Sequence, residues 1–265
     1  MEYRLNSLYS FCYRDLFLKG HNTMKKKLAL ILSLSLVLVM LTGCGQSGKT
    51  LTMATNAEFP PYEYHDGTEI VGIDVEIAQA IADKLGRELV IEDMAFDSVI
   101  MAVQSGKADI AMAGLTITED RKESVNFSTP YTTASQVIIV KEDSDITSPD
   151  DLVGKRVGVQ LGTTGDIYVD DIEDATVERY GKGFEAVQAL LQDKVDAVMI
   201  DNQPAQVFVS QNEGIKIVDE AFTVEEYAAA IAKDNTELLD QVNDAIAELE
   251  ESGELQAIID KYITD

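Results

Sequence analysis

FDSVIMAVQSGKADIAMAG, Phe96 to Gly114, is the stretch whose reading decides the fold. Phe96 to Gln104 has the apolar spacing of a short amphipathic helix, and Ser-Gly-Lys closes it. Ala108 to Gly114 then runs as an apolar strand ending in small residues. The same order returns downstream in FEAVQALLQDKVDAVMID, Phe184 to Asp201. Each helix begins with Phe and an acid, and each strand follows a Lys and carries an Asp near its start. KADIAMAGLT and KVDAVMIDNQ thus answer one another as the ends of two similar βαβ units.

Working outward, LTMAT at 51–55 is a strand. NAEFPPYEYHDG, with two prolines and three aromatics, cannot be a helix. GIDVEIAQAIADKLG at 72–86 places Ile73, Ile77, Ala80, Ile81 and Leu85 on one helical face and stops at Gly86. With ELVIED as a strand, the first third reads β-α-β-α-β, which implies a mostly parallel sheet flanked by helices. The middle repeats the theme. KRVGVQ (155–160), ATVERY, VDAVMID (195–201) and GIKIVDE are strands, with helices opening at GTTGDIYVDD, GFEAVQALLQDK and NQPAQVFVSQN. The C-terminus is helical, NTELLDQVNDAIAELEESG and then GELQAIIDKYI.

TPYTTASQVIIVKED (129–143) and AFTVEEYAAAIAKD (221–234) are extended and join the blocks. Two crossings make a two-stranded hinge. The expected organisation is one lobe from 51–132 together with 228–265, and a second from 133–227.

The N-terminus reads as a targeting segment. Lys25, Lys26 and Lys27 precede an apolar run from Leu28 to Leu41, broken only by Ser33 and Ser35. This run is shorter than the roughly 20 residues that span a bilayer and suits a secretory signal. It closes with Leu41-Thr42-Gly43-Cys44, similar to a bacterial lipoprotein signal in which the cysteine is acylated, with palmitate as an expected chain. The expectation is a signal-peptide region at 1–43, with 1–23 a wrongly assigned start and 24–43 the lipoprotein signal. A lipid-anchored tether follows at 44–50. More than one acyl chain gives stable anchoring. On this reading Cys44 is the single cysteine, which excludes a disulfide framework.

The formal charge of −26 over 265 residues argues against nucleic acid or an anionic bilayer as electrostatic partners. No P-loop, G-x-S-x-G or Cys/His metal spacing occurs. No catalytic residue, metal or cofactor is expected. His65 reads as a solvated turn residue, and DDIED (170–174) lacks the spacing of a calcium loop.

What remains is a set of polar turns at the C-terminal ends of strands, where open α/β sheets bind ligands. These are NAEFPPYEY, GLTITEDR, QLGTTG and DNQPA. The arginine in the second offers a planar fork of donors that matches a carboxylate. The aspartate in the fourth accepts from an ammonium, and helix N-termini after Gly/Thr turns present N–H groups to anions. Together they would recognise an α-amino acid zwitterion, with Phe59 and Phe96 sandwiching its side chain. Bland readings stand beside these. Phe96 heads an amphipathic helix and fits a core, Thr118 fits an N-cap with Glu119 and Asp120 favouring the helix dipole, Arg121 could pair with Glu123, and Asp201 could cap the next helix.

These segments, in this order over almost all of 51–262, resemble the extracellular solute-binding proteins, family 3, of polar amino acid ABC transporters. The resemblance implies a two-lobed, periplasmic-binding-protein-like (type II) α/β fold that closes on its ligand. It places the carboxylate-binding arginine on Arg121, assisted by Thr116 and the backbone of Ala113 and Gly114, with a second-lobe turn at Gly162, Thr163 and Thr164. It places the ammonium-binding acid on Asp201 and the aromatic wall on Phe59, Phe96 and Tyr62. Asn56 stands where binders of cationic side chains often carry Asp, Glu58 could compensate for that change, and Gln160 would touch the ligand side chain. It further implies a monomeric receptor anchored at the extracellular face of the cell membrane, serving a permease and an ATPase. A few relatives on this fold are exported prephenate or arogenate dehydratases. For that alternative, Glu58, Glu63 or Asp97 would be the acid.

Overall fold

The computed structural model describes residues 50–263. The targeting segment, Cys44 and all of the tether except Thr50 lie outside them. Strand β1 (Thr50–Thr55) leads into three short strands, β2 (Glu58–Phe59), β3 (Glu63–Asp66) and β4 (Glu69–Val71). These form a small antiparallel sheet of their own in the region read from sequence only as non-helical. Pro60 and Pro61 interrupt it at the β2–β3 turn, and the ladder resumes beyond them.

Helix α1 (Ile73–Lys84) buries Ile73, Ile77 and Ile81 of the stripe that its spacing predicts, while Ala80 and Leu85 are partly exposed and Ala78 and Ala82 are buried in addition. Strand β5 (Glu88–Asp93) follows, then a 3-10 turn at Phe96–Ser98 that runs into helix α2 (Val99–Gln104). The stretch at 108–114 pairs as a strand only over β6 (Ile110–Ala111). Beyond Ala111 the chain bends into the turn that carries Gly114. Gly114 adopts φ +54° with Phe59 so near that a Cβ would lie 2.9 Å from its ring, so only glycine fits. Helix α3 (Glu119–Ser124) starts at Thr118, whose hydroxyl accepts from the Arg121 amide. Strand β7 (Val125–Phe127) and the long β8 (Thr132–Lys141) complete the first half.

The second half runs β9 (Arg156–Gln160), α4 (Thr164–Asp170), β10 (Thr176–Tyr180), α5 (Gly183–Leu191), β11 (Ala197–Asp201), α6 (Asn202–Gln211) and β12 (Ile215–Ile217). Then come β13 (Thr223–Tyr227), β14 (Ala230–Ala232), α7 (Thr236–Ser252) and α8 (Glu254–Tyr262).

Two larger sheets result, one per lobe. The first has the order β5-β1-β6-β14-β7 and the second β10-β9-β11-β8-β12, with β13 pairing the free part of β8. β1 pairs parallel with both β5 and β6, and β9 with β10 and β11. The strands that arrive from the connections, β8, β13 and β14, pair antiparallel. β8 and β13 run side by side from Thr132–Tyr227 to Gln136–Thr223 and form the hinge.

Candidate functional site

A cavity at the strand ends is lined from both lobes. The first lobe contributes Asn56 beyond the end of β1, Phe59 on β2 and Phe96 before α2. It also supplies Ala113, Gly114 and Thr116 from the turn after β6, and Arg121 on α3. The second contributes Gln160 at the end of β9, Thr163 and Thr164 at the start of α4, and Asp201 at the end of β11.

Two residues expected from the resemblance stand apart. Tyr62 does not line the cavity. It is 1 % exposed and lies behind Phe59 with ring centroids 6.0 Å apart. It also meets Tyr227 edge-on at 5.0 Å. Gly162 touches the site through its carbonyl, while its N–H donates to Asp166 Oδ2 at 2.9 Å and so is occupied within its own turn. Its φ of +81° strains any residue but glycine, and a Cβ there would press on Asp97 of the other lobe at 3.3 Å.

Arg121 is 8 % exposed. Its guanidinium donates to the Thr116 carbonyl at 2.8 Å and to the Gly162 carbonyl at 3.1 Å. Its charged carbon sits 5.6 Å from the centre of the Phe96 ring, a favourable cation–π distance. Glu123 is not its partner, and no ion pair to Arg121 forms among the described residues. Burial lowers its pKa, opposed by the charges of Glu225 and Asp201. The result is a desolvated cation whose partners among the described residues are carbonyls alone, which a carboxylate would satisfy far better.

Asp201 is 5 % exposed and belongs to the same cavity. It stands at the N-terminus of α6, yet its side chain makes no cap bond. Its Oδ1 instead accepts from the Tyr227 hydroxyl. Burial, and then the charge of Glu225, push the Asp201 carboxyl up to about 7. A group so raised is the partner an ammonium would relieve.

At the far end of the cavity the lobes touch through amides and a surface ion pair. Gln160 Nε2 donates to Asn56 Oδ1 at 2.9 Å, and Asn56 Nδ2 to the Met94 carbonyl at 2.9 Å. Glu58, from which the sequence reading allowed a negative charge for the ligand, is paired with Lys182 of the other lobe and does not line the cavity.

Sequence reasoning missed the layer behind the site. The Thr116 hydroxyl donates to Glu225 Oε2 at 2.9 Å, and Gln136 Nε2 reaches both Glu225 Oε2 at 3.1 Å and Thr164 Oγ1 at 3.2 Å. In β13 Val224 faces outward at 73 % exposure and Glu225 inward at 5 %, an inversion of the usual polarity that only the fold reveals.

A second acid layer lies under Gly114. Asp74 Oδ2 accepts from the Gly114 N–H and from the Tyr131 hydroxyl, both at 2.8 Å. Burial raises Asp74 to about 6, against the hydrogen bonds that lower it. Burial, and then the Asp74 charge, hold Glu63 well above the usual carboxylate range, so that Glu63 keeps its proton and donates it to Asp74.

Comparison with known proteins follows the same geometry. The profile of the bacterial extracellular solute-binding proteins, family 3, matches residues 51–265. The chain is 36% identical over 251 residues to the arginine-binding extracellular protein ArtP of Bacillus subtilis, covering 90% of this chain and 98% of ArtP. It is 33% identical over 218 residues to the L-cystine-binding protein TcyJ of Escherichia coli K12, covering 80% and 82%. An ancestral arginine-binding protein solved with arginine superposes with a TM-score of 0.79 at 43% identity, covering 82% of this chain and 99% of that one.

Proposed function

The chain belongs to the bacterial extracellular solute-binding proteins of family 3, and from that premise we propose that it captures a polar L-amino acid for an ABC importer. The observation that carries the reading is Arg121, a buried guanidinium whose hydrogen bonds go only to backbone carbonyls, in one cavity with the buried acid Asp201. Arg121 takes the α-carboxylate and Asp201 the α-ammonium. Phe59 and Phe96 flank the aliphatic part of the side chain, and the Asn56–Gln160 amides meet its polar end. The relatives that bind arginine and cystine support the ligand class.

Binding is closure. A ligand held by Arg121 of one lobe and Asp201 of the other contacts both only when the lobes meet, so it shifts the population toward the closed arrangement. The chain acts as a receptor, not an enzyme, in keeping with its family. Export, acylation of Cys44, a place on the outer face of the cell membrane, a permease and ATPase as partners and a monomeric state complete the proposal. The support for these is the signal pattern at 24–44 and the family.

The test is a thermal-shift screen of the twenty amino acids with cystine and ornithine, followed by calorimetry on Arg121→Ala. Loss of a buried charge-assisted pair costs about 3 kcal/mol, roughly 100-fold in affinity. Near-normal affinity in Arg121→Ala would remove the assignment.

A further inference from the structure

Glu225 is the one inward-facing acid on the two hinge strands, and the clamp does not use it. It lies on β13, opposite Ala134 of β8, and is 5 % exposed. Its Oε2 collects the Thr116 hydroxyl and the Gln136 amide. Thr116 lines the first-lobe side of the cavity, and Thr164, held by the same Gln136 amide, lines the second-lobe side. One carboxylate on the hinge therefore reaches a pocket hydroxyl directly and another through a single amide.

Hydrogen counting gives this arrangement a direction. A carboxylate only accepts, and a threonine hydroxyl has one hydrogen. The hydrogen of Thr116 is committed to Glu225, so toward the cavity Thr116 can only accept. An amide N–H only donates, so Thr164 accepts from Gln136 and keeps its own hydrogen to give. The two threonines look alike in sequence and are polarised oppositely in the structure. The first suits an ammonium and the second a carboxylate. This differs from the role implied by the resemblance, in which the Thr116 side chain assists Arg121 with the carboxylate.

We infer that Glu225 is a positioning residue for ligand recognition. From the hinge it fixes Thr116 as an acceptor for the α-ammonium and, through Gln136, leaves Thr164 as a donor to the α-carboxylate. The inference rests on the amino acid reading of the cavity. It adds a polarity rule to that reading, set by a residue that does not line the pocket. The charge of Glu225 is also felt by both ends of the clamp, Arg121 and Asp201, which agrees with its place between them. Glu225→Leu removes the acceptor and frees the Thr116 hydrogen to turn toward the ligand, whereas in Glu225→Gln the amide oxygen can take the place of Oε2 and keep both contacts.

The experiment is calorimetric titration of the full-length chain and its variants. The probes are L-arginine, L-glutamine and L-histidine, each beside its counterpart without the α-amino group: 5-guanidinopentanoate, glutaramate and imidazolepropionate. Glu225→Leu should lower affinity for the tightest-binding amino acid about 10–100-fold, the range of a hydrogen bond to a charged group. The counterpart should change by less than about 3-fold. Glu225→Gln, which keeps an acceptor for Thr116, should lose less than Glu225→Leu. In a Thr116→Val background the Glu225→Leu effect should largely vanish, because the two act on one hydrogen bond. For Glu225→Leu, an equal loss for both ligands, no loss for either, or full additivity with Thr116→Val overturns the inference. Should Glu225→Leu not fold, Thr116→Val alone decides, since an equal loss of both ligands would put Thr116 on the carboxylate. Arg121→Ala separates the two readings. If it loses the amino acid and the counterpart together while Glu225→Leu behaves as wild type, the clamp stands and the Glu225 role falls. If Arg121→Ala binds normally, or the wild-type chain binds none of the three amino acids, the clamp falls and the Glu225 role with it.

Discussion

Asp201 is an acid whose charge is expensive until a cation arrives. Burial and Glu225 raise it to about 7, and an ammonium beside it would lower it again. Binding near neutral pH therefore releases protons, and affinity falls as pH drops below about 7, because the acid must then give up its proton before it can pair. Calorimetry in buffers of different ionisation enthalpy reads this directly. Proton release should be near zero at pH 9 and grow toward pH 6, and Asp201→Asn should abolish it while weakening binding strongly. A pH-independent affinity between 6 and 8 would exclude the ammonium role. At this scale much of the cavity was legible. Asp201 ends a strand and Arg121 lies in the first turn of the helix that follows another; the chemistry of those turns raised both as candidates, and for Arg121 the resemblance decided between a ligand and a surface role. Tyr62 was not separable from Phe59 by sequence, because both are aromatics beside the same two prolines and only the packing shows which ring reaches the cavity. Glu225, Gln136 and Asp74 were hidden for another reason. Each acts on the site through a residue far away in the chain, and local pattern carries no such information.

Among the elements, helix α1 and the three-stranded sheet β2–β4 meet at the Glu63–Asp74 pair. Both carboxyls hold protons more tightly folded than unfolded. The folded state thus binds more protons, and stability declines as pH rises from the ordinary carboxylate range through about 6 for Asp74 and onward toward the ionisation of Glu63. For Asp74 the loss is on the order of 3 kcal/mol. Glu63→Gln retains a donor to Asp74 without an ionisable proton. Its melting temperature should hold up on the alkaline side where that of the parent chain declines, and parallel pH profiles for the two would refute the shared proton. The helices were readable from their apolar spacing, and α1 buries the three isoleucines of its predicted stripe while Ala80 and Leu85 at its edge stay partly exposed. The strands were less so. Strand 108–114 pairs over only Ile110–Ala111 because the turn at Gly114 takes its end, and β2–β4 escaped because Pro60 and Pro61 mask a ladder that forms on either side of them.

For the molecule as a whole, contacts across the cleft come in two strengths. Arg121 to the Gly162 carbonyl and Gln160 to Asn56 are buried or partly buried, whereas Lys182 to Glu58 is solvent-exposed with side-chain exposures of 46% and 31%. An exposed pair is weak and screened. Lys182→Ala should therefore quicken ligand release only about two- to five-fold, leave the association rate nearly unchanged and remove part of its salt dependence. Stopped-flow measurements at low and high salt test this, and a loss as large as that of Arg121→Ala would mean that the latch, not the clamp, holds the lobes together. The two-lobed plan was visible in the repeated βαβ unit and the two extended crossings, since both rest on periodicity that survives without tertiary information.

The strand β14 has one more consequence. It lies between β6 and β7, the fourth of the five strands of the first sheet, although it comes from residues 230–232. A growing chain that has not reached β14 has β5, β1 and β6 to pair with one another, while β7 lacks its partner. Domains made from contiguous chain can fold during synthesis, but here the amino-terminal sheet cannot close until residues that lie beyond every strand of the second sheet have emerged.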